Sequence, residues 1–347
     1  MRTRLTRRTL LAAPFALAKP GYRYEFPRDH FAHWDFRTEW WYYTGNLFTR
    51  ERRRFGFELT FFRQALEAGA TPSAWGTDPV WLAHLALSDI QGARFLHAER
   101  LNRSGPGLAG ADAQRGFVWN GNWRAGPTEL RAITEDFSIE LALESKKAPV
   151  IHGINGVSQK ATGVGRASHY VSETRIAARG ALQYKGERLA LDGLVWMDHE
   201  FFTHQLEPEQ TGWDWLSIQL EDRTELMLFR LRRRDGSLDP NSAGTFVDTD
   251  GHARHLAVSE FKLAPSGEWQ SSATKAKYPL EWQIEVPSLS LALKATTPLR
   301  DQELVSRSPY SPSYWEGAMD FRGSRQGRAI AGTGYLEMTG YDKPVTF

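Results

Sequence analysis

Phe55-Gly56-Phe57-Glu58-Leu59-Thr60-Phe61 places a large apolar side chain at every second position and a small or polar one between. Successive side chains of an extended chain point to opposite faces, so this alternation marks a strand with one face turned to a core. Phe137-Ser138-Ile139-Glu140-Leu141-Ala142-Leu143 and Leu289-Ser290-Leu291-Ala292-Leu293 repeat the pattern. From Tyr22 onward the alternation recurs and a sustained 3.6-residue period is almost lacking, which predicts an all-β chain. Asn120-Gly121, Asp235-Gly236 and Asp250-Gly251 fall between such runs. These are the turn pairs of antiparallel hairpins, so an up-and-down meander is expected.

The chain has 347 residues, enough for two cores of ordinary size. Its 13 Trp and 19 Phe supply the bulk for aromatic-lined β-structure and point to an apolar ligand. An absence of cysteine removes disulfides, thiolate metal sites and Cys nucleophiles. At the N-terminus, Arg7-Arg8-Thr9-Leu10-Leu11 opens an apolar run that ends in Ala16-Leu17-Ala18. This reads as a twin-arginine-like export signal over residues 1–18, and the mature protein is expected to be periplasmic or secreted. The leader holds four arginines and no acid, leaving 39 basic against 41 acidic residues beyond it. No nucleic-acid partner is implied.

A weak internal repeat points to duplication. Glu39-Trp40-Trp41-Tyr42-Tyr43-Thr44-Gly45-Asn46-Leu47 is echoed by Trp213-Asp214-Trp215-Leu216-Ser217-Ile218-Gln219-Leu220, and Phe62-Arg63 by Phe229-Arg230. Gly193-Leu194-Val195-Trp196-Met197-Asp198 is echoed by Gly332-Thr333-Gly334-Tyr335-Leu336-Glu337. Two tandem antiparallel barrels are therefore expected, one over 22–203 and one over 208–347. The polar segment Thr203-His204-Gln205-Leu206-Glu207-Pro208-Glu209-Gln210 links them.

Phe26-Pro27-Arg28-Asp29-His30, the run from Thr38 to Leu47, and Trp196-Met197-Asp198-His199-Glu200 resemble the AttH and carotenoid 1,2-hydratase (hydroxyneurosporene synthase) family, over about Tyr22 to Tyr341. The resemblance implies two lipocalin-like barrels. In the hydratases a His-x-Trp motif and, farther on, a Tyr-x-Asp motif carry the chemistry, with the Asp as acid. Here those places hold His169-Tyr170-Val171 and Trp196-Met197-Asp198, so the His and Asp match while the two aromatic positions differ.

Hydrating an alkene without a cofactor requires an acid to protonate carbon, surroundings that tolerate a cation, and a water. Asp198 is the candidate acid, because a carboxyl in apolar surroundings keeps its proton toward neutral pH. Trp196 and Glu200 share its strand face: the indole would steady positive charge and the second carboxyl would act as the paired base. His169 would orient Asp198 or position water. Tyr170, Trp40, Trp41, Glu39 and His84 are the candidate pocket residues. The competing view makes Asp198-His199-Glu200 a polar strand end, Glu39-Trp40-Trp41 a packing motif at the barrel floor, and His84 a structural histidine. Asp29 to His33, with two histidines three apart, reads as a cap over the barrel mouth.

His199-Glu200-Phe201-Phe202-Thr203-His204 has three residues where a zincin helix has two, and histidines five apart on a strand face opposite ways. No metal site is expected. No Gly-x-Ser-x-Gly elbow supports a serine hydrolase, and no phosphate-cradling loop supports a nucleotide. Lys160, Arg175 and Glu173 read as exposed ion pairs at the rim. Two functions remain open. One is a cofactor-independent hydro-lyase acting on a terpenoid or other lipophilic alkene through Asp198. The other is a noncatalytic periplasmic carrier of a lipid or lipophilic metabolite, serving a transporter. A carrier needs a uniformly apolar cavity, and an enzyme needs ionisable groups inside it.

Overall fold

The computed structural model describes residues 14–68, 78–204, 206–307 and 312–345. The basic stretch and the Arg7-Arg8 pair of the expected leader lie outside these residues, and so does Gln205 of the linker. The regular structure of the described chain is almost all antiparallel strand, arranged as two barrel-like sheets, one nearly closed and one a half-barrel. No described helix is long and apolar enough to cross a membrane.

The first sheet runs from Arg94–Arg103 through Val80–Asp89, Arg54–Gln64, Thr38–Phe48, Glu187–Phe202, Ala167–Tyr184 and Phe137–Ser145 to four short strands between Ala109 and Ile133. Side chains draw its two ends together. Arg100 donates to the Asn120 carbonyl at 3.0 Å, and Asn102 donates to the Asn120 side chain at 2.6 Å. The second sheet centres on Gln210–Leu220, flanked by Glu225–Arg233 and Arg328–Met338. In each sheet the first long strand pairs with the last: Thr38–Phe48 with Glu187–Phe202, and Gln210–Leu220 with Arg328–Met338. This shared plan is the duplication that the repeats suggest. Gly121, Gly236 and Gly251 all have positive φ, as their hairpin turns require. One boundary shifts: Leu289 sits in a short 3-10 turn and the strand begins at Leu291.

Phe55, Phe57, Leu59 and Phe61 point into the first barrel, where they pack with Trp41, Tyr43, Trp81 and Trp123. Each such side chain contributes roughly 1.5–3 kcal/mol by burial. The interior of this barrel is lined by these packed aromatic and aliphatic side chains. The residues between them do not face solvent either. Glu58 and Thr60 are buried, because the outer face of the central strands is covered by the second sheet. At Gly56 the approach is so close that a Cβ would lie 2.6 Å from the Tyr335 hydroxyl. Asn46 donates to the Gly334 carbonyl at 3.1 Å, Arg54 pairs with Asp320 at 2.6 Å, and Ser88 donates to Gln302 at 2.6 Å across the same join. Tyr42, Tyr170, Trp196, Trp215, Met227, Phe229 and Tyr335 form a third apolar cluster between the sheets.

Candidate active site between the two sheets

Register decides what each face carries. Ser172 lies opposite Asp198 and Tyr170 opposite Glu200 on paired strands, so Tyr170, Ser172, Trp196, Asp198 and Glu200 all face the second sheet. Asp198 is held by three donors. Tyr170 Oη donates to Oδ2 at 2.5 Å, Trp196 Nε1 donates to Oδ1 at 2.6 Å, and the Ser172 hydroxyl also donates to Oδ1. Trp215 Nε1 in turn donates to Tyr170 Oη at 2.9 Å, so the second sheet helps aim the tyrosine. Among the described residues no cation pairs with Asp198. Burial pushes its carboxyl up to about 7, against the hydrogen bonds from Ser172, Tyr170 and Trp196.

Glu200 has a different setting. Lys160 Nζ lies 3.1 Å from it, and Ser168 also donates to it. The same ammonium sits 4.2 Å from the centre of the Phe229 ring and 4.9 Å from that of Tyr170. Lys160, Arg175 and Glu173 are therefore not rim residues: all three are buried. Arg175 pairs with Glu225 of the second sheet, which also takes Lys147 at 2.7 Å. Covering of the outer face by the second sheet turns Lys160 and Arg175 into interface charges, while Glu173 faces the barrel, 3.7 Å from His30.

Three further acids, absent from the sequence reading as site residues, join this interface. Glu58 accepts from Thr60 at 2.6 Å and from Tyr314 at 3.1 Å, and burial raises it to about 7. Glu316 accepts from Tyr42 at 2.5 Å and is raised well above the carboxylate range by burial, Glu337 and Glu58. Glu337 accepts from Trp213 at 3.0 Å, and burial pushes it up to about 8. Glu337 occupies in the second repeat the place of Asp198 in the first, and Tyr335 that of Trp196. That echo was the available signal for it.

His84 belongs to this face, with Nδ1 2.7 Å from Tyr314 Oη. Trp40 does too, stacked at 6.4 Å on Trp213. The other three candidates lie on the opposite side of the strands. Trp41 stacks on His199 at 4.8 Å inside the barrel end. Glu39 is bound by Arg63 at 3.0 Å, His33 Nδ1 at 2.7 Å and His199 Nε2 at 2.8 Å. His169 points away from Asp198, because it is paired with Phe201 and not with Glu200. Its Nδ1 lies 2.9 Å from the Gly156 carbonyl and 3.2 Å from Tyr24 Oη, so the orienting role expected of it falls to Tyr170 and Ser172.

A relay leads outward from the acid. His152, fully buried, has Nε2 2.6 Å from Ser172 Oγ and Nδ1 2.8 Å from Thr245 Oγ1. Burial and nearby Lys160 hold it down to about 3, so it is a neutral imidazole that can accept on one nitrogen while donating from the other. His152 and Thr245 line a half-open cleft of about 240 Å³ whose walls include Ile154, Val157, Met227, Phe229 and Val258. Met227 and Phe229 belong as well to the intersheet cluster, so cleft and acid site share a wall.

Among the described residues, His33, Glu39 and His199 bring ligand-type atoms within 4.8 Å of one another, as do the surface residues Asp248, Asp250 and His252. In the first group Glu39 already binds both histidines and Arg63, so its atoms are engaged as ion pairs and hydrogen bonds.

The AttH-like family profile matches residues 17–341. The fold resembles the crystal structure of an AttH-type protein from Nitrosomonas europaea, with 34% identity, coverage of 94% of this chain and 100% of that one, and a TM-score of 0.85. It also resembles kievitone hydratase from Nectria haematococca, at 15% identity, 95% and 98% coverage and a TM-score of 0.69, a likeness of fold. In sequence the chain is 22% identical over 236 residues to dehydratase asqC of Emericella nidulans, spanning 66% of each protein.

Proposed function

The chain belongs to the AttH-like family, and from that premise we propose that it is a cofactor-independent hydro-lyase acting on a lipophilic alkene, such as a terpenoid, or on the corresponding alcohol. One observation carries this reading. Asp198 is a fully buried carboxyl with a pKa of about 7, held by neutral donors between two sheets and joined to a cleft by Ser172 and His152. A carboxyl poised near the working pH can give a proton to carbon in one direction and to a leaving hydroxyl in the other. Trp196 and Trp215, 6.1 Å apart and edge to face, supply ring faces near any cation so formed. Ser172 and His152 return the proton from the cleft. The hydratase and dehydratase among its relatives support water addition or removal as the reaction type.

The test is incubation of the purified protein with a panel of terpenoid alkenes and tertiary alcohols, reading gain or loss of one water by mass spectrometry. Asp198→Asn abolishes turnover while the fold and ligand binding persist; full activity in that variant overturns the acid role.

The carrier reading draws on one observation, the apolar wall of the cleft. Against it stand four buried acids at the same interface, Glu58, Asp198, Glu200 and Glu316, with the half-buried Glu337 beside them. Organic extraction of the purified protein, with mass spectrometry of the extract, separates the two. Recovery of one stoichiometric lipid that is never converted supports a carrier. We also infer export through the Arg7-Arg8 leader; cell fractionation of Arg7→Lys/Arg8→Lys should find the protein retained in the cytoplasm.

A further inference from the structure

We propose that Glu58 and Glu316 form a subsite for the carbonyl oxygen of a lipophilic ligand, a ketone, quinone or amide. It is separate from the acid role of Asp198 and holds whether or not that residue does chemistry. Both side chains are fully buried between the sheets. Glu58 Oε1 accepts from Thr60 at 2.6 Å and Tyr314 at 3.1 Å, and Glu316 Oε1 accepts from Tyr42 at 2.5 Å. The second oxygen of each, Oε2, is buried and bonds nothing, and Thr44 Oγ1 beside them is in the same condition. Leaving a buried polar atom unmet is costly, so a pair of them at one interface requires an explanation.

Register brings the two together. Glu58 lies opposite Thr44 on paired strands, and Tyr42 is two residues along from Thr44 on the same face. Glu316 binds Tyr42, and Tyr314, two residues before Glu316 on its strand, binds Glu58. Each carboxyl thus flanks the tyrosine that serves the other, and Glu58 raises the charge cost of Glu316.

With Oε1 of each accepting from hydroxyls, the carboxyl proton resides on Oε2. The subsite therefore offers two O–H donors in a dry place, and no cation lies among the groups that shift either acid. A carbonyl oxygen has two lone pairs and no proton of its own, so it accepts from such donors without bringing an unmet one. The apolar remainder of such a ligand would lie against the apolar side chains packed between the sheets. Tyr42 belongs to the cluster of Trp215, Met227 and Phe229, and the last two also line the cleft.

The test compares β-ionone with the analogue in which a methylene replaces its carbonyl oxygen, using calorimetry and the infrared carbonyl stretch of the bound ketone. The ketone should bind roughly tenfold more tightly or better, with its stretch moved to lower frequency. Glu58→Leu and Glu316→Leu each remove most of both effects. Each removes an acceptor from its hydroxyl partners, so thermal unfolding and circular dichroism first establish that the variant is folded. Glu316→Gln, which keeps an N–H donor, restores the preference. Equal binding of the two compounds, an unshifted carbonyl band, no binding of the ketone, or an undiminished preference in both leucine variants overturns the subsite.

Discussion

Glu39 and Glu58 stand on neighbouring strands of one sheet, both fully buried, yet their surroundings are opposite in kind. Glu39 lies on the barrel-end side among Arg63, His33 and His199. Burial pushes it up, but those groups outweigh burial and hold the carboxyl well below the usual range. Asp29, beside it, is likewise held down once His33, Arg28 and the Glu25 backbone N–H outweigh burial. Glu58, facing the second sheet, has a threonine and a tyrosine for partners and no cation, and burial raises it to about 7. Asp198, Glu316 and Glu337 follow the same rule. A buried acid with a matched charge fixes structure, and one with only neutral partners keeps its proton available. The comparison assigns the barrel-end cluster to folding and the intersheet cluster to chemistry.

The largest expected effect falls on the intersheet side. Asp198→Asn should lower turnover by roughly 10²–10⁴-fold, with a melting temperature at or above that of the wild type. An equal loss of stability would place Asp198 with the structural acids. Next is Glu39→Gln, which leaves Arg63 buried without its carboxylate and should cost about 3–5 kcal/mol in denaturant unfolding. Full stability in that variant would break the comparison from the other side.

The two clusters also differ in pH dependence. Asp198, Glu58, Glu316 and Glu337 have folded pKa values above their unfolded ones, so their contribution to stability is complete below about pH 4. It is lost as pH rises through the folded values of about 7 for Asp198 and Glu58 and about 8 for Glu337. The slope is about 1.4 kcal/mol per group per pH unit, and Glu337→Gln should flatten it. Glu39 and Asp29 have the reverse sign, contributing above about pH 4 and losing that contribution below it. The smallest effect concerns Trp196→Phe. Removing the indole donor at 2.6 Å from Asp198 should move the acid's limb of the pH–rate profile upward, by up to about one unit.

Much of this was legible in the residues alone. Alternation over Phe55 to Phe61 and Phe137 to Leu143 specified strands and their faces, the repeated motifs pointed to two related sheets, and the period-2 rule grouped Trp196, Asp198 and Glu200. Alternation separates two faces without saying which is covered by what, and here both faces of the central strands are buried. Alternation alone therefore cannot place Glu58 between two sheets. His169 was assigned by motif resemblance, whereas strand register turns it to the other face, next to Tyr24. Glu337 had a signal in its repeat with Asp198; Glu316 had none, since it joins the site only when the two sheets pack, and Ser172 and His152 are brought to Asp198 by strand pairing within the first sheet.

The central claim is that Asp198 carries a proton at neutral pH. Infrared difference spectroscopy of wild type against Asp198→Asn at pH 6 tests it directly. The account predicts the carbonyl band of a protonated carboxylic acid that is lost in the variant and gives way to carboxylate bands as pH rises through about 7; carboxylate bands already present at pH 5 would contradict it.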